Sequence, residues 1–422
     1  MKKGAIFLLL GDFLFLSFSL FLALGARLGF LFAKKNFFLF FFNFLPLFFL
    51  WLLLIFIFDF YSFRIKVFSL DFFQRLVFFL ILSIFTGSIY FYFQRNPQIE
   101  PKTILLLLLL VFSLFLCLWR WVFDKVYFKF LKKEKVLVLG KPQEVEDIFK
   151  EIKKRKLPLE IKIAEKEEEI KKSLKEFKPD RIVVYKRKFL NTLPSLHFKI
   201  ESFSSFYEKI TERVPLFALK NPFYLEEILK EEKKSYLILK KIFDLFFGLV
   251  GLIILILIFP IIALMIKIES EGPVIFVQKR VGKDGKVFNN YKFRTMYQRN
   301  LNKLWRAKDK KEITKIGKIL RFTHLDELPQ VINILKGEMS FVGPRAQWDE
   351  VHKVLIKEIP FYTLREKALP GLTGWAQLNY KAPQTIDEEK IKLQYDLYYI
   401  KHRSFLFDLL IFLKSLKKMF LG

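Results

Sequence analysis

Long apolar segments near the start of the sequence constrain the fold more than any other feature. Four of them follow one another, at residues 6–32, 37–60, 72–93 and 104–123. A helix needs about 20 mostly apolar residues to cross a bilayer, and each segment is long enough. A buried core helix would explain one such segment, but not four in series. The sequence therefore predicts four transmembrane helices within residues 1–125, the first of them a retained anchor rather than a signal peptide.

Composition agrees with a membrane protein and indicates the charge of its partners. Hydrophobic residues make up 53% of the 422 residues, and the mean hydropathy is +0.27. Lys and Arg exceed Asp and Glu by 71 to 42, which gives a formal charge of +29. Such an excess suits lipid headgroups or phosphorylated substrates. The sequence has no zinc-finger spacing, basic heptad region or RNA-binding signature, so we expect no nucleic-acid partner.

Basic residues after the fourth apolar segment indicate the orientation of the chain. Positive charge near the end of a span favours the cytoplasmic side. We therefore expect the chain beyond this point to be cytoplasmic, and an even number of spans places the N-terminus there too. The residues that carry this signal are Arg120, Lys125, Lys129, Lys132, Lys133 and Lys135.

Residues 131–232 alternate between short strands and amphipathic helices, which is typical of a small βαβ domain. The first strand, KVLVLG, ends at Gly140 and opens into GKPQEV. A dinucleotide site needs further glycines there, and Pro142 removes a backbone N–H that a phosphate would use. We therefore predict a degenerate Rossmann-like domain with a structural or regulatory role, with a working nucleotide site as the alternative.

A fifth apolar segment lies within residues 236–270. Its stretch from 245 to 266 carries no charge, but basic residues stand at 240–241 and at Lys267. Positive charge at both ends favours keeping both ends on the cytoplasmic side. Pro260 removes a helix hydrogen bond and permits a sharp bend, and Gly248 and Gly251 permit close packing. The segment is therefore predicted to be a re-entrant membrane helix, with a kinked fifth span as the alternative.

Residues 271–422 carry the motifs that indicate chemistry. VIFVQKRVGKDGKVFNNYKFRTM at 274–296 predicts two strands joined by a turn, and RFTHLDELPQ, GEMSFVGPR and LPGLTGWAQLNY follow. The adjacent carboxylates Asp326 and Glu327 suit attack on phosphorus and binding of Mg²⁺. Arginine binds phosphate oxygens through two donors at once. The candidate phosphate-binding residues are Arg280, Lys292, Arg294, Arg321 and Arg345.

Each of these features has a simpler explanation when taken alone. An isolated Asp-Glu pair is usually a solvated helix start, and a single arginine is often a surface ion pair or a headgroup contact. The ordered series of motifs favours phosphoryl transfer instead. The last apolar stretch, LFDLLIFLKSLKKMFLG, is short and basic, and it predicts an interfacial helix rather than a sixth span.

On these motifs, residues 236–422 resemble the bacterial sugar transferase family, the monotopic polyprenyl-phosphate phosphoglycosyl transferases. The four predicted spans and the βαβ domain resemble its long members, which begin exopolysaccharide or O-antigen assembly. The resemblance implies transfer of a sugar-1-phosphate from a UDP-sugar to polyprenyl phosphate, with UMP released. It implies a covalent phosphosugar on the residue matched by Asp326, and Mg²⁺ held with help from Glu327. It also implies a bacterial cytoplasmic membrane, with the catalytic domain facing the cytoplasm.

The chain departs from the family pattern at several positions. Phe259 replaces the serine of a Ser-Pro pair, Ala346 replaces the second proline of Gly-Pro-Arg-Pro, and His324 replaces a small hydroxyl residue. YQRN at 297–300 stands where an acidic residue is common. These departures keep open a second class of function, a catalytically inactive membrane scaffold or regulator. The sugar cannot be read from the sequence, and a homo-oligomer remains an open alternative.

Together these features predict a membrane protein of the α plus α/β class. Transmembrane helices are followed by a small Rossmann-like domain. An α/β catalytic domain comes last, and the re-entrant and interfacial helices anchor it to the bilayer.

Overall fold

A computed structural model describes residues 2–61, 67–94, 101–130, 133–155, 157–192, 198–297 and 313–421. Its contacts divide the chain into two compact units, Met1–Glu201 and Ser202–Gly422. Each unit has its own core and is described by itself.

The first unit begins with four long apolar helices. All four are long and apolar enough to cross a membrane, which confirms the predicted helical character of this region. Aromatic side chains fill much of the packing between them, with Phe44, Phe48 and Trp51 fully buried. The helices are α1 (Lys2–Leu28), α2 (Phe30–Ile57), α3 (Leu70–Gln94) and α4 (Pro101–Phe130).

A buried ion pair joins α1 to α4. The Arg120 guanidinium donates to both carboxylate oxygens of Asp12, at 3.0 and 2.6 Å, and its Nε donates to the Phe60 carbonyl at 3.1 Å. Only 5% of the Arg120 side chain and 1% of the Asp12 side chain are exposed. A charge inside an apolar bundle is tolerated when it is paired in this way. Arg120 is therefore an internal packing residue as well as a basic residue near the end of a span.

A parallel sheet with flanking helices completes the first unit, as predicted. Strand β1 pairs in parallel with β2 on one side and β3 on the other, in the order β2-β1-β3-β4. Gly140 ends β1 with φ +99°, a conformation that favours glycine, and Tyr185 packs beside it. The elements are β1 (Glu134–Leu139), α5 (Val145–Arg155), β2 (Leu159–Ala164), α6 (Glu167–Glu176), β3 (Arg181–Val184) and β4 (Lys199–Ser202).

The second unit is a mixed α/β domain built around one large apolar core. Its two small sheets have the orders β6-β5-β8, antiparallel, and β7-β9, parallel. Its helices are α7 (Phe203–Thr211), α8 (Pro222–Leu229), α9 (Lys234–Glu269), α10 (Lys315–Phe322), α11 (Val331–Leu335), α12 (Asp349–Glu358), α13 (Trp375–Asn379), α14 (Ile386–His402) and α15 (Phe405–Leu421). Its strands are β5 (Ile275–Val281), β6 (Val287–Phe293), β7 (Ser340–Val342), β8 (Gln347–Trp348) and β9 (Gly371–Thr373).

Helices α7 and α8 belong to this second core, although they precede the motif-bearing region. Tyr224 of α8 is buried in the same apolar cluster as residues of α14, and the Tyr207 hydroxyl of α7 donates to the Gln394 side chain of α14 at 3.3 Å. The Trp375 indole donates to the Glu212 carbonyl at 3.2 Å. The segment from 203 to 229 is therefore built into the domain that carries the motifs.

The apolar helix α9 packs along one stripe against this domain and exposes the rest of its surface. The helix continues through Pro260, and the sharp bend expected there stays a prediction. A Cβ at Gly248 would lie 2.8 Å from Leu335, and one at Gly251 would lie 2.8 Å from Val331. Both glycines therefore let α9 approach α11 closely, as expected from the sequence.

Replacing Asp12 with Asn tests the pair inside the helical bundle. The variant leaves the Arg120 charge buried without a counter-ion, so we expect it to lower the free energy of unfolding by about 3–5 kcal/mol. Thermal unfolding in detergent measures the loss. An Asp12→Leu/Arg120→Met double variant should recover most of it, and a double variant as unstable as Asp12→Asn would contradict this account.

Candidate active site

The two adjacent acids lie in a short 3₁₀ helix, Leu325–Gln330, between α10 and α11. His324 precedes it in the left-handed conformation, with φ 56° and ψ 14°. The His324 carbonyl accepts a hydrogen bond from the Glu327 amide at 3.2 Å. This reversal ends α10 and turns the chain so that the acids reach the antiparallel sheet. His324, which the sequence left unexplained, therefore has a backbone role.

Glu327 is held by two cations from different elements. Arg345, in the loop after β7, donates to its Oε1 at 2.5 Å, and Lys292 of β6 donates to the same oxygen. Burial opposes the negative charge, but Arg345 and Lys292 together hold the pKa of Glu327 well below its ordinary value. Glu327 is therefore a permanent anion at neutral pH.

Asp326 has the opposite environment. Among the described residues, none donates a hydrogen bond to its carboxylate. Burial raises its pKa, the nearby Lys292 opposes that shift, and the Glu327 charge adds to it. The carboxylate of Asp326 therefore keeps its oxygens available for a reaction partner, unlike that of Glu327.

Arg280 extends the cationic group around Glu327. It lies on β5, donates to the Ala346 carbonyl at 2.7 Å and contacts the Gln278 amide oxygen. Burial, and then the Arg345 charge, lower the pKa of Lys292 to about 8 and that of Arg280 to about 10. Repulsion among these cations is relieved when an anion binds between them.

The other two predicted phosphate-binding arginines lie at the edge of this group. Arg321 donates to the Thr295 hydroxyl at 2.9 Å, and its charge opposes the rise that burial causes in the pKa of Asp326. Arg294 donates to the carbonyls of Ser270, at 2.7 Å, and Glu271, so it fastens the end of α9. The structure thus brings Asp326, Glu327, Lys292, Arg280 and Arg345 together, with Arg321 beside them, and places the Arg294 guanidinium at the membrane helix.

The Gly-Pro-Arg loop has a backbone contact that the sequence did not reveal. Arg365 donates to the Arg345 carbonyl at 2.7 Å. It lies in TLREKA, just before the LPGLTGWAQLNY motif and outside it, and its partner is twenty residues away in the chain. Ala346, where the family pattern has proline, is buried, and its carbonyl is held by Arg280.

The acids suit a hard divalent cation only together with a substrate. Within the described part of the chain, no group of three or more His, Cys, Asp or Glu side chains could hold a metal ion. Both ion pairs of Glu327 use Oε1, so Oε2 and the Asp326 carboxylate are the acid oxygens that could serve as ligands. Mg²⁺ is commonly held by one or two carboxylates plus substrate phosphates, so the pair fits such an ion. Of the YQRN departure, positions 298–300 lie outside the described residues.

Comparison with known proteins agrees with the motif assignment. Residues 235–422 match the family model described as bacterial sugar transferase. An exopolysaccharide production protein of Rhizobium leguminosarum bv. phaseoli is 39% identical over 183 residues, which are 42% of this chain and 92% of that protein.

Two longer relatives match over a similar segment. A UDP-N-acetylgalactosamine-undecaprenyl-phosphate N-acetylgalactosaminephosphotransferase of Aeromonas hydrophila is 41% identical over 162 residues, 38% of this chain and 38% of that protein. A UDP-glucose:undecaprenyl-phosphate glucose-1-phosphate transferase of Escherichia coli K12 is 43% identical over 173 residues, 39% of this chain and 37% of that protein. The match thus covers well under half of these two relatives.

Substitution of His324 tests the backbone turn before the acids. A β-branched residue tolerates the left-handed conformation worst, and glycine adopts it freely. We expect His324→Val to be less stable than His324→Gly by about 1–2 kcal/mol. Thermal unfolding of the two variants measures the difference. Equal stability would show that the left-handed turn is not required.

Proposed function

We propose, since this chain belongs to the bacterial sugar transferase family, that it transfers a sugar-1-phosphate from a UDP-sugar to polyprenyl phosphate. The products are polyprenyl-diphospho-sugar and UMP, and the reaction begins the assembly of a membrane-linked polysaccharide. The observation that carries the proposal is the pair Asp326 and Glu327, set among Lys292, Arg280 and Arg345 within the matched region. The printed activities of the Aeromonas and Escherichia relatives support it.

In the first step, an Asp326 oxygen attacks the phosphorus that carries the sugar. The bond from that phosphorus to the bridging oxygen breaks, UMP leaves with the electron pair, and the sugar phosphate remains on Asp326 as an acyl phosphate. In the second step, an oxygen of polyprenyl phosphate attacks the same phosphorus, and the bond to Asp326 breaks. The carboxylate is regenerated, so neither step needs an oxidant or a reductant.

The contrast between the two acids supports this division of roles. A nucleophile needs free oxygen lone pairs, and no described residue donates a hydrogen bond to the Asp326 carboxylate. Glu327 has its charge fixed by Arg345 and Lys292, and it organises those cations instead. A carboxylate pair whose environments push the two pKa values apart is a common basis for different catalytic roles.

Charge balance at the site favours a diphosphate. Lys292, Arg280 and Arg345 contribute three positive charges against two from the acids, and Arg321 adds a fourth. Arginines can neutralise phosphate oxygens through paired donors. Mg²⁺, held by Asp326 and Glu327 Oε2, would neutralise further charge on the diphosphate. The site would thus exclude a neutral sugar and prefer its nucleotide diphosphate form.

The contacts of α9 support a re-entrant rather than a crossing helix. Near its start, Lys240 Nζ lies 2.7 Å from Asp408 and 2.8 Å from the Val342 carbonyl. At its end, Glu269 accepts from the Ile316 amide at 2.8 Å. A crossing helix would place its two ends on opposite sides of a hydrocarbon core about 30 Å thick, whereas a re-entrant helix keeps both ends on one side. Both ends contact the same folded domain, so we propose that both stay on the cytoplasmic face of the bacterial inner membrane.

An Asp326→Asn variant tests the proposed nucleophile. An amide cannot attack phosphorus at a useful rate, so we expect UMP release from UDP-sugars, with undecaprenyl phosphate and Mg²⁺ present, to fall by at least about 10³-fold. Asp387→Asn is the matched control, since this exposed acid pairs only with the nearby Lys390 among the contacts described. It should retain full activity.

A panel of UDP-sugars, one of them labelled in the phosphate beside the sugar, gives the substrate and the intermediate together. Labelled protein sensitive to hydroxylamine, found in wild type and lost in Asp326→Asn, is the expected result. Full activity in Asp326→Asn would refute the nucleophile. A wild-type protein with no turnover and no labelled intermediate across the panel would favour the non-catalytic scaffold.

Cysteine labelling tests the path of α9. Ile268→Cys is placed at an exposed position in a Cys117→Ala background, with Lys233→Cys at the other end of the helix. An impermeant thiol reagent added to intact cells should label neither, and added to inverted membranes should label both. Leu31→Cys, at an exposed position in the first turn of α2, is the control for outside labelling. Labelling of Ile268→Cys from outside alone would establish a fifth span.

A further inference from the structure

The loop that carries Arg345 is held at every backbone carbonyl from Pro344 to Ala346. The Pro344 carbonyl accepts from the Gly371 amide at 2.9 Å, and the Gly343 amide donates to the Thr373 carbonyl at 2.9 Å. The carbonyls of Arg345 and Ala346 accept from side chains instead, Arg365 and Arg280. Two arginine side chains therefore supply the hydrogen bonds to loop carbonyls that β-sheet pairing does not supply.

Arg365 is itself fixed by its surroundings. It comes from the 3₁₀ helix Tyr362–Lys367, and only 5% of its side chain is exposed. Its Nε donates to Asp396 Oδ2 at 3.1 Å, and its Nη2 lies 2.9 Å from the same oxygen. Its Nη1 donates to the Tyr362 hydroxyl at 2.9 Å. Asp396, on α14, is 2% exposed. Asp396 and Tyr362 thus hold the guanidinium in the orientation in which it donates to the Arg345 carbonyl.

We propose that Arg365 is a positioning residue that sets the Arg345 side chain on Glu327. The chain of contacts runs from Asp396 and Tyr362 through Arg365 to the Arg345 carbonyl, and from the Arg345 guanidinium to Glu327. Arg365 touches no acid of the dyad and acts through Arg345 alone. Its effect on catalysis rests on the proposed function, whereas its effect on the Arg345–Glu327 contact does not.

The geometry of arginine is what makes this role specific. One planar guanidinium binds a carboxylate, a hydroxyl and a carbonyl at once, in fixed directions. A lysine at this position keeps the charge but has one nitrogen on a flexible stem, so it cannot make all three contacts in the same directions. The carbonyl of Arg345 would then be free to move. A displacement of about 1 Å in a catalytic group can lower a rate about 100-fold.

The kinetic test compares Arg365→Lys, Arg345→Ala and the double variant. We expect Arg365→Lys to lower kcat about 10- to 100-fold. In the double variant, Arg365→Lys should cause little further loss beyond Arg345→Ala, because the residue it positions is already absent. Multiplied losses would show a structural role unconnected to Arg345 and would overturn the proposal.

Arg403→Lys is the matched control. Arg403 also donates to a backbone carbonyl, that of Lys367 at 3.0 Å, and pairs with a carboxylate, that of Glu232 at 2.8 Å. It should leave kcat unchanged. Tyr362→Phe removes one hydrogen bond only, so it tests the same chain of contacts if Arg365→Lys does not fold. It should lower kcat in the same direction and by a smaller factor.

A measurement without substrate separates this inference from the proposed function. Shifts in the thermal unfolding midpoint are compared for Arg365→Lys, Glu327→Gln and the pair. Arg345 contacts both Arg365 and Glu327, so the shifts in unfolding midpoint from the two substitutions should be less than additive in the double variant. Additive shifts would overturn the positioning role, whether or not any sugar donor is turned over. Non-additive shifts in a protein without turnover would keep the positioning role and refute the activity.

Discussion

The ion pairs of Glu327 join three parts of the second unit at one buried carboxylate. Lys292 comes from the antiparallel sheet, Arg345 from the loop after β7, and Glu327 from the turn between α10 and α11. The contacts span 35 and 18 residues of chain. A buried carboxylate costs several kcal/mol unless it is well paired, so each of these elements depends on the others being in place.

The same arrangement gives the neighbouring acid, Asp326, a different environment. Glu327 takes both cationic donors, and among the described residues Asp326 is left without one. Its pKa is raised by burial, while Lys292 and Arg321 oppose the shift. Two carboxylates adjacent in sequence are therefore chemically unlike, because the turn that starts at His324 aims them at different neighbours. The angle between consecutive side chains does not explain this difference, because a regular α-helix also separates them by about 100°. The difference comes from the sharp change of chain direction after α10, which a regular α-helix would lack.

The sequence predicted local features well and pairings between distant residues poorly. Apolar segments and alternating patterns reveal helices and strands because those signals are short-range. The acid pair and its arginines were found because ordered motifs carry them. No local pattern marks Asp12, and the sequence around Arg120 indicates only orientation, because their contact joins residues 108 positions apart. Arg365 and Asp396 were missed for the same reason, and no motif surrounds either residue.

The sequence pattern also does not show to which of the two units α7 and α8 belong. Their sequence follows the βαβ pattern without a clear break, so a boundary placed by composition falls after them. The structure instead packs Val214 and Tyr224 against the residues of α14.

The Glu208 carboxylate accepts from Tyr224 at 2.6 Å and Lys401 at 2.9 Å, and it also contacts His402. Burial opposes the charge of Glu208, but these partners lower its pKa. Within the described residues, this buried anion is satisfied by side chains of α8 and α14, which ties the segment to the second unit more firmly than apolar contact alone. The fold of the second unit thus includes a segment, N-terminal to the family match, that the family motifs do not mark.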